Sequence, residues 1–218
     1  MRPIMAMPLT VVVASLCLCT VARAQGFWIW NEEDITAAFR GVSVVVPLVD
    51  RIAPSLANPQ LLAIGLTAEV RLPARTTMTV GYLFVDLPQR QPSVVHVPLL
   101  ATSTAARIGP LTVADRNRIE QLIGLGPSPI RYRNRLSLEL PLGAAPSNRS
   151  HVFADEEVFF DASASAWTQS RFRIGAGCAL RSALLLDVFY LRQSIRGRAL
   201  VQVLGTAFKV ALRRPGET

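Results

Sequence analysis

The chain has 218 residues, of which 50% are hydrophobic, 17% charged and 7% aromatic, with 23 Lys+Arg against 15 Asp+Glu. The length suits one or two domains, and the composition is too apolar for a disordered chain. Mean hydropathy is positive, yet beyond residue 24 no apolar stretch reaches the roughly 18 residues of a transmembrane helix, which excludes a helical membrane protein.

Arg2 precedes an apolar run from Leu9 to Val21, and Ala22-Arg23-Ala24 places small residues where a signal peptidase reads. A secretory signal peptide over residues 1–24, cut between Ala24 and Gln25, is expected, because the run is about 13 residues long and a span needs ~20. Leu16 and Leu18 stand directly before Cys17 and Cys19, where lipidation needs a small residue. Cleavage lowers the formal charge from +8 to +6 and leaves Cys178 alone, so no internal disulfide is expected in residues 25–218. The remaining basic residues form no run, and no nucleic-acid partner is implied.

The lead-in QGFWIWNEED puts Trp28 and Trp30 on one face if extended, as an interfacial belt, an extra strand or an internal plug, with belt or lead-in strand favoured. From about residue 35 the apolar residues follow period two and turn residues interrupt at near-regular intervals. Ten strands are predicted, over 35–49, 60–72, 75–87, 94–106, 111–123, 130–140, 150–160, 170–180, 184–193 and 199–212. They exceed the five or six residues usual in soluble sheets, and several match the ~9–11 residues of a tilted strand crossing a bilayer. Connections mostly alternate longer and shorter, except the long segment Pro141 to Arg149. The expected fold is all-β: a single antiparallel up-and-down transmembrane β-barrel of about 10 strands (12 possible), over residues 25–218. An even count follows if both termini lie on the periplasmic side.

The charges decide which face is which. In RYRNRLSLEL, Arg131, Arg133, Arg135 and Glu139 share one face, while Tyr132, Leu136, Leu138 and Leu140 share the other. An arginine facing lipid at the midplane costs roughly 2–4 kcal/mol, so this row belongs in a lumen. DRNRIEQLI repeats the pattern with Arg116, Arg118 and Glu120; Asp155 and Glu157 alternate against Val158 and Phe160, and Arg171 and Arg173 against Phe172 and Ile174. Arginines and carboxylates on neighbouring strands can pair as a ladder, strengthened by the low dielectric of a narrow lumen. Such a ladder is either a structural core filling the barrel, the preferred reading, or the lining of an anion-selective passage or polar ligand site. One Lys, Lys209, among 23 basic residues could equally reflect coding bias.

A soluble periplasmic barrel, with apolar interior and polar exterior, would need these faces inverted. That sits poorly with TTMTVGYLFVD, where Met78, Val80, Tyr82 and Phe84 fill one face and Leu83 and Val85 part of the other. An outer-membrane lipid-modifying hydrolase would need a serine, a histidine base and an orienting carboxylate. His151 neighbours Ser150, but adjacency along a strand turns them to opposite faces; His96 and His151 are read as lumen or interface residues. Asp155-Glu156-Glu157 lacks the spacing of a calcium loop, one cysteine and two distant histidines make no zinc site, and Gly175-Ala176-Gly177 is too short for a dinucleotide fingerprint. No catalytic residue, metal or cofactor is predicted. In a strand the two glycines instead let neighbours approach closely.

The segments TVGYLFV, DRNRIEQ, RYRNRLSLELPLG, DEEVFF, QSRFRIGAGCAL and LLLDVFYLRQ, in this order and spacing, resemble the exported bacterial proteins of domain of unknown function family twenty-four ninety, over roughly Leu61 to Leu212. Phe189-Tyr190 stands where that family usually has Gly-Tyr. The resemblance implies an outer-membrane β-barrel of unassigned activity and makes Gly81, Tyr82, Arg116, Arg118, Glu120, Arg131, Arg133, Arg135, Glu157 and Arg171 family-typical barrel positions. The expected location is the bacterial outer membrane, with outer-membrane lipid and the barrel-assembly machinery as partners, and the expected role a structural barrel or narrow pore.

Overall fold

The structure, a computed structural model, describes residues 27–39, 41–53, 59–126, 129–143 and 150–212. The expected signal peptide and its Ala24–Gln25 cleavage point lie outside the described residues. Among the described residues eleven strands follow one another in chain order: β1 (Trp28–Phe39), β2 (Val42–Ile52), β3 (Pro59–Leu72), β4 (Thr76–Asp86), β5 (Val94–Ile108), β6 (Leu111–Gln121), β7 (Ile130–Leu142), β8 (Ser150–Asp161), β9 (Ala166–Arg181), β10 (Leu184–Ile195) and β11 (Val201–Leu212). Each pairs with the next, and β11 lies beside β1, so the sheet closes into a barrel. Closure leaves no open edge, the condition a sheet must meet in hydrocarbon.

The period-two pattern is thus that of an up-and-down barrel, with a difference at the seam. Every consecutive pair is antiparallel, but β1 and β11 run parallel, from Trp28↔Val203 to Ala37↔Leu212. The odd strand comes from the tryptophan-bearing lead-in. The predicted strand 35–49 divides at a turn where Gly41 adopts φ 90°, a conformation glycine reaches without steric cost, into the second half of β1 and most of β2. Residues 28–34 supply the first half of β1. With eleven strands, Trp28 and Leu212 lie at opposite ends of the barrel, which corrects the expectation of an even count with both termini on one side.

The strands run from 11 to 16 residues, long enough to cross a bilayer. Connections at the end where β1 begins span residues 53–58, 87–93, 122–129, 162–165 and 196–200; those at the other end span 40–41, 73–75, 109–110, 143–149 and 182–183. Segment 143–149 is long at an otherwise short-turn end, as its sequence indicates.

The pleat sorts side chains into two populations. Outward lie Leu62, Ile64 and Leu66 of β3, Met78, Val80, Tyr82 and Phe84 of β4, Leu136, Leu138 and Leu140 of β7, and Phe172 and Ile174 of β9, all exposed. Exposed apolar area on this scale, spread over several neighbouring strands, exceeds the patches tolerated on soluble monomers and forms a lipid-facing belt. The protein is therefore a membrane-spanning β-barrel, and the inverted soluble arrangement is excluded.

Inward, the barrel is partly filled. Trp30, Phe189, Leu191, Val203 and Ala207 form one buried cluster, joined by Trp28, Phe153 and Val201; Val95, Val97 and Leu122 form another. The tryptophans of β1 thus point into the lumen and do not form an interfacial belt. Glycines make room for this filling. A Cβ at Gly205 would sit 2.3 Å from the Phe189 ring, and one at Gly175 would sit 2.7 Å from the Phe153 ring. The close approach read from Gly175-Ala176-Gly177 is therefore an aromatic ring lying over bare backbone.

Candidate functional site: the arginine-lined lumen

Register carries the alternating charges of four consecutive strands onto one inner wall. Arg116 lies opposite Arg135 and Arg118 opposite Arg133 across β6 and β7, while Glu120 faces Arg131. On the next pairs, Arg135 faces Glu157, Glu157 faces Arg171 and Asp155 faces Arg173. Two like-charged pairs stand side by side, an arrangement that destabilises a sheet unless carboxylates intervene.

Two carboxylates do so. Glu157 takes Arg116 Nη2 at 2.7 Å and Arg133 Nη2 at 2.9 Å, and lies 3.7 Å from Arg171 Nη1. Glu120 lies 2.7 Å from Arg118, 3.3 Å from Arg133 and 3.7 Å from Arg131. Both carboxylates are almost fully buried, at 4% and 3% exposure. Arg133 is the bridge, touching both acids. Arg173 forms a second group with Asp155 at 2.8 Å and Glu32 at 3.3 Å.

Aromatic faces support the guanidinium planes. Arg133 and Arg171 each stack 4.6 Å from the Phe159 ring centroid, Arg51 and Arg171 lie 3.8 and 5.0 Å from Trp30, and Arg173 lies between Phe153 and Phe189. Stacking on a ring is open to a planar guanidinium and holds it without a carboxylate.

The remaining predicted charges divide. Among the described residues Arg135 faces the lumen but makes no ion pair, and its Nε has no hydrogen-bond partner. Glu139 points inward near the short-turn end, is exposed and likewise makes no ion pair among the described residues. Arg51, Glu32 and Asp187 were not assigned to the lumen from the sequence, and Lys209 was noted only as the one lysine: Arg51, Asp187 and Lys209 are each the one inward charge of a largely apolar strand, and Glu32 lies in a strand with acidic residues on both faces. Asp187 is buried beside His151, 3.3 Å away, and Lys209, 2.8 Å away. His151 therefore points to the lumen, on the face opposite Ser150. His96 lies on the outer face, hydrogen-bonded to Tyr82.

The ladder does not fill the lumen. A cavity of about 560 Å³ remains, with nine arginines and six carboxylates in its lining. Its opposite wall, from β2 to β5, is mostly apolar, with Val45, Val49, Leu83, Val85, Val95 and Val97. At the long-loop end Leu87, Arg90, Leu122 and Leu125 turn inward and border the cavity. At the short-turn end the inward side chains Arg71, Arg107, Glu139 and Lys209 are exposed.

Among the described residues no group of three or more His, Cys, Asp or Glu could hold a metal ion. Cys178 is free, exposed and on the outer face. The outer face also carries Asp115, Asn117, Tyr132 and Asn134, which hydrogen-bond one another: Asn117 donates to Asp115 at 2.7 Å, Asn134 donates to Asp115 at 2.6 Å, and Tyr132 donates to Asn117.

No curated protein matches the chain. The family described as protein of unknown function, DUF2490, matches over residues 29–203, so the match reaches back through β1 and β2, which the sequence motifs had left out. With well over half of its length covered, from the first strand into the last, the chain belongs to the DUF2490 family.

Proposed function

We propose that this outer-membrane barrel is a narrow pore selective for anions, with the arginine ladder as its lining. The observation that carries the reading is the imbalance around the cavity: nine arginines against six carboxylates, with Arg51, Arg90 and Arg135 held by no carboxylate among the described residues. A purely structural electrostatic core would be expected to match its charges, since unpaired guanidinium groups in a low-dielectric interior are costly. Excess fixed positive charge on a confined wall concentrates anions and repels cations. The inward Leu87, Leu122 and Leu125 favour a second, more restrictive version, in which the barrel is structural and the long-loop end is shut.

The activity is non-catalytic in this reading: His151 points to the lumen beside Asp187 while Ser150 lies on the opposite face of β8, which speaks against a nucleophile–base pair of the two. Residues 1–24 act as the export signal and residues 25–218 as one barrel domain, inserted by the barrel-assembly machinery, with outer-membrane lipid against the belt. No nucleic acid takes part.

Planar-bilayer recording of the refolded protein under a potassium chloride gradient tests this. The expected result is a small unit conductance with a reversal potential on the chloride side of zero. Electrically silent, correctly folded barrels would leave the structural version standing and remove the pore.

A further inference from the structure

The cavity has two unlike walls. Strands β6 to β9 present guanidinium groups, and strands β2 to β5 present aliphatic side chains such as Val49, Leu83 and Val97. The arginine wall accounts for attraction of anions to the lumen, and the mostly apolar wall opposite it offers small hydrated anions nothing further. A filled structural core has no use for it either, because the wall borders empty space.

Arg51 connects the two halves. It rises from the apolar β2 wall, stacks 3.8 Å from Trp30, and lies within electrostatic reach of Glu32, Arg133, Glu157 and Glu120. Its Nε is buried and, among the described residues, without a hydrogen-bond partner, as are those of Arg116, Arg118, Arg131, Arg133 and Arg135 along the facing wall. Buried donors left unsatisfied cost free energy that an acceptor of the right charge would recover. The volume, about 560 Å³, lies within the range of small-molecule sites.

We infer that the lumen binds a single-chain amphiphile with an anionic oxygen head, a carboxylate or a phosphate ester, the head seated on the arginine wall of β6 to β9 that Arg51 faces and the hydrocarbon chain against the aliphatic wall of β2 to β5. Forked guanidinium donors match both head chemistries, and the chain gains from leaving water along apolar surface. The short-turn end, with Arg71, Arg107 and Lys209 inward and exposed, attracts the head on entry. The inference rests on the anion-attracting lumen of the proposed function and deepens it, and its failure is distinguishable from a loss of ion conduction.

The test is isothermal titration of the full barrel in phosphatidylcholine nanodiscs, with heats from empty nanodiscs subtracted. Decanoate and decyl phosphate are the two head arms; acetate and inorganic phosphate carry heads alone, and decanol carries the chain alone. At least one of the two amphiphiles is expected to bind saturably, about tenfold or more tighter than its bare head and than decanol. Arg51→Gln and Arg135→Gln are each expected to weaken that binding about tenfold, the loss of one charged hydrogen-bonding group. Arg192→Gln, on the outer face, is expected to leave it unchanged. Heat-modified gel mobility confirms that each variant is folded, and the two lumen variants serve as substitutes for each other if one fails to fold. No saturable heat beyond empty nanodiscs, decanol binding as tightly as the amphiphiles, or insensitivity to both lumen variants would overturn the inference. Bilayer conductance retained alongside such a failure would leave the pore intact and remove only the amphiphile site.

Discussion

Arg133 is the residue whose loss should be felt most. It alone of the ladder contacts both buried carboxylates, Glu120 at 3.3 Å and Glu157 at 2.9 Å, while stacking on Phe159. Removing one partner of a buried ion pair typically costs about 3–5 kcal/mol, because the other charge stays behind without compensation. Four further arginines crowd the same two acids, so Arg133→Leu is expected near the lower end, about 3 kcal/mol, read as a lowered urea midpoint of the heat-modifiable band. Unchanged unfolding would show that the neighbours suffice. The inward direction of this residue was legible because Arg131, Arg133 and Arg135 alternate with Tyr132, Leu136 and Leu138 along one strand. Arg51 was not legible. It is the single inward charge of VSVVVPLVDRI, and its role depends on Trp30 across a hairpin and on groups across the lumen. The partners of Arg173 show the same limit, since Glu32 is 141 positions away and only closure at the seam brings it within 3.3 Å.

At the level of single strands, β7 carries the clearest division. Its outer row, Leu136, Leu138 and Leu140, is exposed, while Ser137 and Glu139 between them point inward. Leu138→Arg would place a guanidinium in hydrocarbon, at a cost of roughly 2–4 kcal/mol near the midplane. It should lower the folded fraction on insertion into vesicles, whereas Ser137→Arg, one position along, should be tolerated; equal tolerance would contradict the assigned faces. The same strand contains the exception, Asn134, and β6 contributes Asp115 and Asn117. Their mutual hydrogen bonds satisfy polar groups that lipid cannot. Alternation alone registers them as interruptions, because a pattern along one strand does not show that its interruptions meet those of the next. Strand β1 escaped for another reason. Its sequence WIWNEEDITAAF mixes apolar and acidic residues on both faces, since Trp30, Glu32 and Asp34 point inward while Ile29, Asn31 and Glu33 point outward. Period two then gives no contrast, and only the partner strands fix the assignment.

The whole molecule is an eleven-stranded closed wall with a lipid-facing belt outside and a two-sided lumen inside. Belt, strand lengths and most of the arginine wall follow from local alternation. The odd count, the parallel seam and the aliphatic half of the cavity do not, because they depend on how the two ends of the sheet meet. The account rests on which side of the wall is wet, and β7 allows that to be measured directly. Single cysteines at residues 135 to 140, in a Cys178→Ser background, would be reacted with a membrane-impermeant polar maleimide after reconstitution into lipid vesicles. Labelling is expected to alternate, with Arg135→Cys, Ser137→Cys and Glu139→Cys reacting through the lumen and Leu136→Cys, Leu138→Cys and Leu140→Cys protected by lipid. Uniform labelling, or alternation in the opposite phase, would contradict the account.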